Sequence, residues 1–433
     1  MLVLTSFHTE LIIFIYRNNY DIRCKHVKER KEMNERPMDT RVPVTVLSGY
    51  LGSGKTTLLN YVLNNRAGLR VAVIVNDLSE VNIDAALVRD GGGLSRTDEK
   101  LVEMSNGCIC CTLREDLLRE VEKLAKEGRF DYILIESTGI GEPIPVAQTF
   151  MYEDEEAGIR LSELCRLDCM VTVVDAYRFW SDFASGETLL DRQQASDELD
   201  NRDVVDLLIS QIEFCDVLIL NKCDRVADEE LDQLESILRK LQPRARFIRA
   251  IHGEVSPQQL LNTRLFDFEE ASESPGWLKE LTHGIHTPET EEYGISSFVY
   301  ERQLPFHPER LMAWMSDWPS EIVRSKGIVW LASRNEMAQS FSQAGPSVQF
   351  GAAGNWVASL PKAEQQIIFQ QDHEIAASWH PRFGDRSTKV VFIGIHMDRK
   401  QIEAELDQCL ITSSELEMDW QSLLDPFPQQ TSA

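Results

Sequence analysis

Residues 47–60 read LSGYLGSGKTTLLN, and this stretch decides the fold of the first half of the chain. Gly49, Gly54, Lys55 and Thr56 stand in the Gly-x-x-x-x-Gly-Lys-Thr spacing. Glycines here let the backbone wrap phosphate oxygens without Cβ clashes. The loop amides and the N-terminus of the next helix then face the anion. The spacing assigns Gly49, Gly52, Ser53, Gly54, Lys55, Thr56 and Thr57 to a bound nucleotide. Lys55 reaches the β- and γ-phosphates, Thr56 offers its hydroxyl to Mg²⁺, and Thr57 meets the α-phosphate. A β-branched run precedes the loop at 42–49, and apolar residues at helical spacing follow it at 55–65. That strand, loop and helix order is the context the motif requires.

Outward from the loop, apolar runs recur at 70–77 (RVAVIVND), 131–137 (DYILIES), 170–176 (MVTVVDA) and 216–222 (DVLILNK). Continuous apolar strands separated by helical patterns predict an α/β fold, a P-loop NTPase domain with a mostly parallel sheet covered on both faces. Residues 227–242 form an amphipathic helix with acid early and base late, as the macrodipole prefers. We place this domain at 42–265. Acidic, Pro/Gly-bearing sequence at 266–292 reads as a linker. A smaller α+β C-terminal domain follows at 293–415, with helices on one side of its sheet. Residues 416–433 read as a loose tail and residues 1–41 as an extension outside the fold.

The 433 residues carry 44 basic and 70 acidic side chains, a net charge of -26. So acidic a balance argues against a nucleic-acid or anionic-membrane binder. No apolar run approaches the roughly 18 residues that span a bilayer. Nine cysteines in a long chain with an intracellular type of nucleotide motif indicate reduced thiols and a cytoplasmic protein.

Base choice is written in LILNKCD at 218–224, where Asn221, Lys222 and Asp224 end a buried strand. The Asp224 carboxylate accepts from the guanine N1–H and exocyclic amine. Adenine lacks that donor pair, so GTP is the nucleotide. Glu136 ends another apolar strand and acts on Mg²⁺ or its water shell, and Gly139 approaches the γ-phosphate. Lys55 and Glu136 are the candidate catalytic residues.

Three thiols crowd four positions: Cys108, Cys110 and Cys111 in SNGCICC. Such a run cannot form ordinary pairwise disulfides. As thiolates these cysteines suit Zn²⁺, Cu⁺ or a similar ion. In an extended segment Cys108 and Cys110 point one way and Cys111 the other. Either Gly107 lets the backbone kink so that all three bind, or two bind with a carboxylate or water. Asp77 and Glu80, in IVNDLSEVNID at 74–84, are the candidate carboxylates. Cys165, Cys169, Cys215, Cys223 and Cys409 fall on apolar or helical positions and read as packing residues.

Together VTVLSGYLGSGKTTLLN, GCICCTLREDL, ESTGIGEP and NKCD resemble the CobW-like GTPases, P-loop metallochaperones and metal-centre accessory proteins. Residues 384–412 resemble that family's C-terminal domain, and IHTPETEEYGISSFVYE at 285–301 leans toward its YciC/ZagA-like zinc branch. The resemblance covers roughly residues 42–412. It implies GTP with Mg²⁺ near Thr56 and Glu136, and a transition metal at Cys108, Cys110 and Cys111, with Zn²⁺ as cargo. It also implies an apo-metalloprotein client and a possible homodimer. Where relatives carry Asn-Glu-Phe-Gly-Glu, this chain has NDLSE, so Asp77 is one methylene shorter than the glutamate it replaces. A GTP-gated accessory protein for cobalt or nickel assembly is the alternative.

Overall fold

In the computed structural model the described residues are 39–65, 68–76, 100–104, 112–151, 153–154, 159–195, 200–273, 275–283 and 292–428. They form two compact units, one from Asp39 to Lys279 and one from Glu280 onward. Of the expected extension at 1–41, residues 1–38 lie outside the described residues.

The first unit begins with β1 (Val42–Ser48) and α1 (Lys55–Asn64). β2 (Val71–Asn76), β3 (Lys100–Met104), α2 (Thr112–Lys126), β4 (Tyr132–Glu136) and α3 (Pro143–Thr149) follow. Next come β5 (Cys165–Asp175), α4 (Val204–Glu213), β6 (Val217–Asn221), α5 (Asp228–Leu241) and β7 (Arg246–Arg249). The sheet order is β3-β2-β4-β1-β5-β6-β7, and every pairing is parallel. Alternate residues of each strand enter opposite layers. Val44, Val46, Ala72 and Ile74 pack with Leu117, Val121 and Leu124 of α2. Val71, Val73 and Val75 pack with Leu58, Leu59 and Val62 of α1.

The pairing of β1 with β5 slips between Val44 and Thr45, which face Leu167 and Cys169 and leave Asp168 out of register. A one-residue slip moves later side chains to the other face. Cys165 therefore lies in the α2 layer and Cys169 in the α1 layer, so the two thiols do not share one ion. Both are buried, and burial pushes the Cys165 thiol up to about 12 and that of Cys169 well up. They are protonated packing residues on a strand.

The segment read as a linker from 266 carries short helices at Phe268–Ser272 and Gly276–His283. Phe266, Phe268 and Ala271 pack against the α2 layer, and Trp277 and Leu278 are buried. Those aromatic residues are what the composition-based reading overlooked.

The second unit holds β8 (Ile295–Arg302), α6 (Pro308–Met315), β9 (Ile322–Val329), β10 (Met337–Ala344) and β11 (Ser347–Asn355). It continues with α7 (Lys362–Gln371), β12 (Thr388–Ile395) and α8 (Arg399–Gln408). Its sheet, β8-β12-β9-β10-β11, is antiparallel throughout. Leu311 of α6 and Ile402 and Leu406 of α8 cover Phe298, Tyr300 and Phe392. The chain end is not loose up to residue 428. Arg334 pairs with Asp425 and donates to the carbonyls of Phe427 and Pro428, and Phe427 is buried with its ring stacked 4.4 Å from Phe350. Among the described residues no helix is long and apolar enough to cross a membrane.

Candidate nucleotide site and the loops beside it

The site is built at the carboxyl ends of β1, β4, β5 and β6. In a parallel sheet this is where loops rather than side-chain layers meet ligands. Gly49, Gly52 and Gly54 sit at φ 134°, 76° and 105°. An added Cβ at Gly49 would stand 2.3 Å from the Val173 carbonyl oxygen, and one at Gly54 2.3 Å from Asn221 Nδ2. Both the backbone angle and the space therefore demand glycine. Lys55 is 5% exposed, and its Nζ folds back to donate to the Gly49 carbonyl at 2.9 Å. The Ser53 hydroxyl is buried and has no hydrogen-bond partner among the described residues, so it fits an incoming phosphate oxygen. Thr57 is exposed at the open side of the α1 N-terminus.

Thr56 Oγ1 donates to Glu136 Oε1 at 2.8 Å, and the Glu136 carboxylate is fully buried. A hydroxyl and a carboxylate touching at the end of the phosphate loop form a hard-oxygen pair that suits Mg²⁺. After Glu136, Ser137 donates its amide to Leu47 O at 2.9 Å. Gly139 backs onto Leu51, whose side chain and amide would lie 2.5 Å and 2.8 Å from an added Cβ. Gln211 of α4 holds this turn by donating to Gly141 O at 3.0 Å.

The Asn-Lys-x-Asp segment braces the phosphate loop from behind. Asn221 is 2% exposed; its Nδ2 donates to Ser53 O at 2.9 Å and its Oδ1 accepts from Gly253 N at 3.0 Å. Lys222 Nζ donates to Gly52 O at 2.7 Å and to Asp175 Oδ2 at 2.6 Å. Asp224 is exposed on the single turn Cys223–Arg225, open to a base. Gly49, Gly52, Ser53, Gly54, Lys55, Thr56, Glu136, Asn221 and Lys222 thus come together as the spacing predicts. Asp175 and Gln211 were not anticipated. A strand-end aspartate in VVDA is a usable signal, but a buried glutamine on an amphipathic helix is not.

Cys108, Cys110, Cys111, Asp77 and Glu80 lie outside the described residues. Their flanks are described. β2 ends at Asn76, whose register partner is Met104, the last residue of β3.

A seven-stranded parallel sheet with a glycine loop closed over a buried lysine defines a P-loop nucleotide-binding protein. Residues 43–249 match the CobW/HypB/UreG nucleotide-binding domain, and residues 295–410 match the cobalamin synthesis protein cobW C-terminal domain. The chain is 47% identical over 401 residues to the zinc-regulated GTPase metalloprotein activator 1 of Dictyostelium discoideum, covering 89% of this chain and 84% of that protein. It is 37% identical over 218 residues to the protein of the same name in Schizosaccharomyces pombe, covering 49% and 47%. To the zinc chaperone YjiA of Escherichia coli it is 28% identical over 375 residues, covering 84% and 97%. The chain belongs to the CobW family of P-loop GTPases.

Proposed function

We propose that the protein is a GTP-hydrolysing zinc metallochaperone that couples its nucleotide state to Zn²⁺ binding and to transfer into an apo-metalloprotein client. The relatives named for zinc and for metalloprotein activation support this. The observation that carries the coupling is the alignment of strand ends. Glu136 is the register partner of both Leu47 and Val75, and Val75 is the partner of Glu103. The phosphate loop follows β1, Asp77 and Glu80 follow β2, and the three cysteines follow β3. All three segments follow the carboxyl ends of parallel strands, and β1 and β3 are three strand spacings apart, about 14 Å. A loop that reorganises on nucleotide binding reaches across such a distance.

Lys55 binds the phosphates and offsets the charge that develops as the terminal group leaves. Thr56 and Glu136 would hold Mg²⁺, and the ion would supply positive charge beside the phosphates. Cys108, Cys110 and Cys111 take the cargo zinc as thiolates, with Asp77 and Glu80 as oxygen donors. The buried thiols elsewhere are held protonated and do not compete. The nucleotide half at 42–265 switches, and the half at 293–415 meets the client. Turnover rises on meeting the client or on dimerisation, and the cytoplasm, where thiols stay reduced, is the compartment.

Two variants of the full chain test this. Lys55→Ala lowers GTP turnover by about 100-fold or more, and serine at all three of Cys108, Cys110 and Cys111 removes stoichiometric zinc binding. Undiminished turnover in the first, or retained zinc in the second, contradicts the proposal. Competition between Zn²⁺, Co²⁺ and Ni²⁺ separates zinc delivery from cobalt or nickel assembly.

A further inference from the structure

The turn after β5 belongs to none of the motifs read above, yet its side chains reach the Asn-Lys-x-Asp segment and, through Lys222, the phosphate loop. Asp175, the last residue of β5, is 9% exposed. Its Oδ1 accepts from the amides of Tyr177 at 3.1 Å and Arg178 at 3.2 Å, which closes the turn on itself. Its Oδ2 accepts from Lys222 Nζ at 2.6 Å, and the same ammonium reaches Gly52 O in the phosphate loop. Lys222 sits at φ 64°, a backbone region that non-glycine residues enter at a cost. A residue held there needs anchors on its side chain, and the carboxylate and the carbonyl are those anchors.

Tyr177 and Arg178 of the turn lie beside the same two loops. Tyr177 is 54% exposed and carries the Arg225 guanidinium 4.0 Å above its ring. Arg225 directly follows Asp224, the carboxylate that reads the base. Arg178 donates to Asp182 at 3.1 Å, and its guanidinium stands 3.5 Å from where a side chain on Gly52 would begin. An exposed cation–π pair contributes only about 0.5–1 kcal/mol to stability. Its placement one residue from Asp224 is the more informative fact.

We propose that Asp175 is a positioning residue for guanine selection. Through Lys222 and the Tyr177–Arg225 stack, the Asp175–Arg178 turn fixes the base-reading loop against the phosphate loop. This rests on the reading of Asn221, Lys222 and Asp224 as the guanine site. The base needs Asp224 within hydrogen-bond reach of two donors at once, and a loop free to shift loses one of them first.

The test is a titration of nucleotide-free, full-length protein with GDP and with inosine diphosphate, which lacks the exocyclic amine. Asp175→Asn keeps the size of the side chain and its Oδ1 acceptor but removes the charge facing Lys222. It weakens GDP binding by about tenfold, and the preference for GDP over inosine diphosphate shrinks. Tyr177→Ala, at an exposed position, shrinks the same preference and lowers the thermal midpoint of the nucleotide-free protein by no more than about 4 °C. A purely structural aspartate would weaken both nucleotides alike. Equal losses, or unchanged GDP affinity in Asp175→Asn, overturn the inference. Wild-type protein that binds no GDP would instead overturn the reading of the site itself.

Discussion

Asp168 and Asp175 lie on the same strand, one near each end, and they use a buried carboxylate in opposite ways. Asp168 is fully buried. It accepts from Tyr132 OH at 2.7 Å, from the amides of Thr263 at 2.8 Å and Arg264 at 3.0 Å, and it pairs with Arg166. Its oxygens are consumed by the fold, which clips residues 263–266 under the amino end of the sheet. Asp175 has backbone partners on one oxygen only. The other oxygen holds a lysine that also holds the phosphate loop. A carboxylate satisfied by its own scaffold stabilises the scaffold, whereas one that ties two loops of the proposed nucleotide site together bears on what they bind.

This contrast predicts that damage at the amino end falls on stability and damage at the carboxyl end on nucleotide binding. The largest effect belongs to Asp168→Asn. An amide would point a donor at donors and leave the largely buried Arg166 with only Asp39, 3.8 Å away, as a charge partner, which costs about 3–5 kcal/mol of unfolding free energy. Urea unfolding measures that loss, while GDP affinity well below the midpoint stays at the wild-type value. A stable variant with weakened GDP binding would break the comparison. Burial pushes the Asp168 pKa up, but the hydrogen bonds from Tyr132, Thr263 and Arg264 outweigh it and leave it lowered. Its contribution is therefore present at neutral pH and lost as the pH falls through that lowered value.

A smaller effect sharpens the same contrast. Asp216, also at the amino end, is pushed up to about 6 from an ordinary 3.8, chiefly by burial. Its folded form holds a proton more tightly than its unfolded form, so its carboxylate costs stability as the pH rises from about 4 to 6. Asp216→Asn keeps the acceptor for the Met170 amide and removes that cost. The variant is more stable than wild type above pH 6 by on the order of 1–3 kcal/mol, and the gain vanishes below about pH 4. Melting curves at several pH values read this directly. A gain that is the same at every pH would contradict the assignment.

The parts of the site legible in the sequence are those whose residues are contiguous. Gly49 to Thr57 and Asn221 to Asp224, the proposed phosphate and base segments, are each one short run, because a loop that wraps a phosphate or reads a base does so with neighbours in the chain. Glu136 was legible because a charged residue closing an apolar strand has few other reasons to be there. Asp175 was not, since its meaning depends on Lys222, which becomes its neighbour only when β5 and β6 pair. The slip at Asp168 was hidden as well. Nothing in CRLDCMV announces that one residue leaves register and sends Cys165 and Cys169 to opposite layers. Proline and acid at the end of the chain suggested a loose tail, yet Arg334, some ninety residues earlier, supplies the clamp that holds Phe427 in place.

The proposed link between nucleotide state and metal affinity runs across the aligned ends of β1, β4, β2 and β3. The direct measurement is the Zn²⁺ dissociation constant of the full chain in three conditions: nucleotide-free, with GDP, and with a non-hydrolysable GTP analogue. Zinc binding is expected to be at least about tenfold tighter with the analogue than with GDP, and, by reciprocity, the analogue is tightened equally by zinc. One zinc affinity shared by all three conditions would contradict it.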